Sequence, residues 1–181
     1  MDRYVFSARV LHWLMAVGFL FMWASGFAMA NLVPEDSALE EQLFGLHISI
    51  GVTLLFLLIL RIGVRLFNTP PALPEEFPAW EKLGSHLGHF ALYLLPFLVI
   101  LVGWSETDFG GHGVHWFGLA MPKVFPTMEM LGALNVEIAS EFLHELFAYL
   151  MLFVVVVHIA AVVKHKWVDG HDVMSRMTFG K

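Results

Sequence analysis

The chain has 181 residues, 58% hydrophobic and 14% charged, with a net charge of −6 and a mean hydropathy of +0.71. A soluble domain carries about 25% charged residues, so this composition excludes one and marks an integral membrane protein with room for about four spans. The absence of cysteine excludes disulfides, thiolate-held iron–sulfur clusters and C-x-x-C-H cofactor attachment.

Four apolar runs lie at about residues 10–30, 43–67, 86–104 and 142–163. Each approaches the roughly 20 residues of a spanning helix, the only open structure that satisfies its own backbone in lipid. The first run, with Arg3 before it and Ala28-Met29-Ala30 at its end, has the outline of a secretory leader. We read it instead as a retained span. The second and third runs are separated by a proline-rich turn segment, residues 68–78, that breaks both helices. Residues 105–141 form the long connection, with GGHG near its start and a short amphipathic helix expected at about 128–140. The expected architecture is an all-α integral membrane four-helix bundle, a single domain over residues 1–181.

Charge sets the orientation. With both termini on one side, that side holds Arg3, Arg9, Arg61, Arg65, Lys82, Lys164, Lys166, Arg176 and Lys181, and the other holds only Lys123. By the positive-inside rule both termini face the cytoplasm. Ten of the sixteen acidic residues fall on the outer side. Nothing suggests nucleic-acid binding, and the oligomeric state stays open.

Histidines number ten, as many as lysines and arginines together, and most lie in or beside the apolar runs. His144 and His158 are fourteen residues apart on the fourth run, which separates them by roughly 21 Å along a helix and only about 40° around it. Ionisable groups inside a span are functional candidates because lipid makes them costly. Alternating helix direction places His47 beside His144 at the outer level and His12 beside His158 at the inner level. A haem iron takes axial ligands from both faces of its macrocycle. Two such pairs therefore suit two non-covalent b haems stacked across the membrane.

Several pieces lie in order along the chain: RVLHW at 9–13, GLHISIG around His47, RIGVRLFNTPP at 61–71, HLGH at 86–89, WFGLAMP at 116–122, and the two histidines of the last run. In these the chain resembles the bacterial cytochrome b561 family, four-helix di-haem b proteins of the inner membrane. The ligand pattern is also similar to cytochrome b subunits of formate dehydrogenases and nickel–iron hydrogenases. The resemblance implies His12, His47, His144 and His158 as axial ligands, in agreement with depth. It also implies electron transfer to or from ubiquinone, with superoxide as one family donor.

Other residues have more than one reading. His86 and His89 share a helix face; they would bond a haem propionate, line a quinone pocket, displace His12 as inner ligand, or simply sit at the interface. His112 and His115 precede WFGL, where they would cover the outer haem edge, move protons, or stand exposed. His165 and His171 are assigned to a solvated tail. Arg61, fourteen residues beyond His47, and Arg9, three before His12, are placed to pair with haem propionates through charge-assisted bonds, or to serve as basic rim residues, the role given to Arg65. Two functions remain open: a superoxide:ubiquinone oxidoreductase, or an electron-transfer subunit for a dehydrogenase or periplasmic carrier. The outer acidic residues disfavour collection of an anion, an effect that clustering of Lys123 with His112 and His115 would offset.

Overall fold

A computed structural model describes residues 3–180; Lys181, counted above on the basic side, lies outside them. Four helices account for most of the chain: α1 Phe6–Asn31, α2 Ala38–Phe67, α3 Ala79–Phe109 and α4 Val136–Trp167. All four are long and apolar enough to cross a membrane, and together they form a four-helix membrane bundle. Each extends beyond the apolar run read from sequence, because local caps set helix ends and hydropathy does not. α2 starts where the Ser37 hydroxyl accepts Glu40 N–H at 3.2 Å, and Glu40 Oε2 returns a bond to Asp36 N–H at 2.6 Å, a capping box displaced by one residue. α3 follows Pro78, and α4 starts where Asn135 Oδ1 accepts Ile138 N–H at 3.0 Å.

The amphipathic helix expected at 128–140 does not form. Two strands, β3 Met130–Leu131 and β4 Leu134–Asn135, pair there around Gly132 (φ 63°), and the rest is the first turn of α4. Upstream, β1 His115–Trp116 pairs with β2 Leu119–Ala120. Its turn residues Phe117 (φ 47°) and Gly118 (φ 86°) both lie in the left-handed region that a tight hairpin needs. The Phe117 N–H bonds Ser49 Oγ at 3.0 Å and Trp116 Nε1–H bonds Thr53 Oγ1 at 3.0 Å, seating this hairpin on α2.

α1 packs closely on α2 and α3 on α4, whereas α4 stands off α1 and α2. The core of Met15, Leu54 and Leu58 is surrounded by Phe19, Met22, Ile50, Leu57, Tyr93 and Ile100. Outward faces carry exposed apolar residues such as Leu20, Phe56, Leu101 and Phe153, the surface a bilayer would solvate. Both termini lie at one end of the bundle, where Tyr4 N–H bonds the Arg176 carbonyl at 3.2 Å. We call this the terminal end, and the end carrying the hairpins the loop end.

Candidate haem site between the helix pairs

Two levels of the bundle bring histidines opposite one another across the gap between α4 and the α1–α2 pair. At the loop end, His47 of α2 and His144 of α4 have ring centroids 6.1 Å apart, with planes at 69°. At the terminal end, His12 of α1 and His158 of α4 stand 6.4 Å apart at 67°. His89 of α3 is also at this level, its ring 5.9 Å from that of His158.

Hydrogen bonds orient these rings. His144 Nδ1–H donates to the Val99 carbonyl at 2.9 Å. Ser25 spends its hydroxyl proton on the Met22 carbonyl at 3.1 Å, so its oxygen accepts Nδ1–H of His47 at 2.9 Å. Both loop-end histidines therefore keep an Nε2 lone pair, as a metal ligand requires. His89 has the same arrangement, with Nδ1–H on the Ser85 carbonyl at 2.7 Å. His12 differs: Arg61 Nη2 donates to its Nδ1 at 3.3 Å while Nη1 reaches the Ala8 carbonyl at 3.4 Å. A guanidinium has only donors, so here Nδ1 of His12 is the acceptor.

The sequence profile of prokaryotic cytochrome b561 matches residues 3–180. The chain belongs to that family. It is similar over nearly its whole length to named relatives. Cytochrome b561 homolog 2 of Escherichia coli K12 is 30% identical over 176 residues, covering 97% of this chain and 91% of that protein. The probable superoxide oxidase CybB of Yersinia pestis is 28% identical over 174 residues, covering 92% and 90%. Cytochrome b561 homolog 1 of Escherichia coli K12 is 21% identical over 178 residues, covering 98% and 97%. Cytochrome b561 membership makes this a bacterial membrane protein of electron transport, with b-type haem as its cofactor.

The residues present fit that group. Two metal–nitrogen bonds of about 2.0 Å plus the half-width of each imidazole span roughly 6.4 Å, close to both pair separations. The donors are neutral imidazoles, suited to a haem iron and free of thiolate competition.

The other candidates are placed as follows. Arg61 spans from Ala8 and His12 to the Tyr93 ring, 5.7 Å from its guanidinium carbon. Arg9 instead bonds the Thr178 carbonyl at 3.0 Å, with its guanidinium near the rings of Phe6 and Phe179. His86 is exposed, and so are His112 and His115 on the loop end. Lys123 bonds Thr127 Oγ1. His165 and His171 are not in a solvated tail: both pack on buried Phe77, at 4.4 and 5.3 Å, and His165 also bonds Asp169 Oδ2 at 2.8 Å. Phe77 in the proline-rich segment offers both rings an apolar face beside the last turn of α4. Sequence reasoning missed Ser25, Ser85 and Val99 as orienting partners.

Proposed function

We propose that the chain carries electrons across the bacterial inner membrane through two bis-histidine b haems, with both termini cytoplasmic. One haem would lie between His47 and His144 and the other between His12 and His158. The observation that carries this reading is the repetition of opposed imidazoles at two levels of one bundle, 6.1 and 6.4 Å apart. A b haem held by two imidazoles supplies a one-electron iron couple at each level. Ser25 and the Val99 carbonyl hold the outer rings by Nδ1–H, and the apolar helices exclude water. At the inner level, a haem held through His12 Nε2 would leave the ring proton on Nδ1, facing the Arg61 donors, so that Arg61 would be free to pair with a propionate; Arg9 is a second candidate for that role.

The relative described as a probable superoxide oxidase supports superoxide as donor, and the resemblance to the cytochrome b561 family supports ubiquinone as acceptor. Two superoxide ions each lose one electron to give dioxygen, and the quinone takes both electrons with two protons. A cleft at the terminal end, lined by Ala8, Arg61, Asn68, His89 and Tyr93, is the proposed quinone pocket. His89 on its wall, beside His158, would pass protons, with His86 nearer solvent. At the outer level, His112 and His115 are the proposed groups over the haem edge.

The acidic outer surface favours a second reading, an electron-transfer subunit serving a basic carrier or a dehydrogenase. Stopped-flow mixing with superoxide separates the two: steered capture runs at about 10⁸–10⁹ M⁻¹ s⁻¹, and slow reduction sinks the oxidase reading. For the ligands, His144→Ala should lose the outer haem alone, and native spectra with both haems would refute the assignment. His89 competes for the inner position because its Nδ1–H is already engaged. His12→Ala is expected to lose the inner haem and His89→Ala to keep it; the reverse makes His89 the ligand.

A further inference from the structure

The contact between His144 and the Val99 carbonyl depends on a side chain that is missing. In an α-helix the carbonyl of residue i accepts the N–H of residue i+4, so the residue four places on stands beside that oxygen. For Val99 the residue is Gly103. A Cβ built at position 103 would lie 2.8 Å from both Cε1 and Nδ1 of His144 and 3.8 Å from its Cγ. The obstructed atoms belong to a stiff ring tied at Nδ1 to the Val99 oxygen, at 2.9 Å. The ring has no flexible end that can yield. An added methyl must break that bond, tilt the ring or separate α3 from α4.

The facing histidine is held differently. A Cβ at Gly26 would meet His47 Cε1 at 3.7 Å, an ordinary contact, and the partner of His47 is the rotatable hydroxyl of Ser25. Only one of the two loop-end rings therefore has its Nδ1 edge both bonded to backbone and closely approached by a glycine.

We propose that Gly103 is a positioning residue for the outer redox group: its bare Cα lets the Val99 carbonyl fix the plane and proton of His144, so that Nε2 faces His47. This rests on the reading of His47 and His144 as haem ligands. The partner that orients a metal-bound imidazole sets its basicity and angle, so displacement of the ring must alter the outer haem and spare the inner one.

The test uses full-length protein purified in detergent, comparing haem content, low-spin electron paramagnetic resonance and redox titration. Gly103→Ala is expected to shift the outer haem's g values and midpoint potential, or to remove one haem equivalent, while the inner signal reports an intact bundle. Gly26→Ala should match the parent. Parental outer signals in Gly103→Ala would overturn the proposal while leaving the ligand assignment standing. Should Gly103→Ala fail to accumulate, adding His144→Ala must restore accumulation and the inner haem to the level of His144→Ala alone, as a coupling through this ring demands. Absence of that rescue also overturns it. A His144→Ala protein retaining both parental signals overturns the ligand reading itself, a result distinct from either.

Discussion

Ser25 shows how much a single hydroxyl does inside a span. It is buried and bonded to Met22 and to His47. Ser25→Ala leaves Nδ1–H of His47 without its acceptor, and loss of such a partner costs about 10- to 100-fold in metal-site affinity. Haem titration of the apoprotein should show that weakening at one of two sites; equal affinity at both would remove Ser25 from the account. The histidines were legible in the sequence because ionisable residues are rare in lipid and their spacing is measurable. Ser25 and Ser85 were not, since a serine satisfied by its own helix looks the same on paper as one that orients a ring. The Val99 oxygen was invisible for a plainer reason, as every residue has a carbonyl.

At the scale of elements, the four spans could be read from hydropathy alone, but their ends could not. The apolar runs cover residues 86–104 and 142–163, whereas the helices continue past Glu81, Glu106 and Glu141 to caps at Pro78, Gly110 and Asn135. The C-terminal segment departs further from the solvated tail expected of it. Its consecutive carbonyls at Arg176, Met177 and Thr178 accept from Tyr4 N–H, Trp13 Nε1–H and Arg9 Nη1–H, while Arg176 Nη1 reaches the Ala72 carbonyl at 2.7 Å. The three carbonyl contacts join residues more than 160 apart and the Arg176–Ala72 contact spans 104, separations that no local pattern encodes. At roughly 1 kcal/mol for each bond, deletion of residues 174–181 should destabilise the protein by about 2–4 kcal/mol, visible as a lower thermal midpoint; an unchanged midpoint would mean that the clasp is idle. Asp169 adds a pH dependence just past α4. Bonds from Lys164, then His165, hold its carboxyl below the usual range. The resulting stabilisation is complete above the unfolded aspartate value of about 4 and is lost as pH falls through the lower folded value. Asp169→Asn should flatten acid unfolding in that window, as followed by tryptophan fluorescence.

For the whole molecule, the charge asymmetry separates a basic terminal end from an acidic loop end. The native chain has no cysteine, so one introduced thiol reports topology without background. In spheroplasts, a cysteine at Glu129 should react with an impermeant maleimide and one at Thr178 should not; the opposite pattern would invert the proposed orientation. A basic carrier docking on the acidic end should deliver electrons more slowly as salt rises, and salt-independent rates would discard that partner. Between His144 and His158, α4 contains neither glycine nor proline, so one unbroken helix carries a histidine ring to each level of the bundle. Rolling this helix about its axis turns both rings in the same sense. On the reading of both pairs as haem ligands, a substitution that rolls α4 would therefore disturb both sites at once, whereas Gly103→Ala would disturb one.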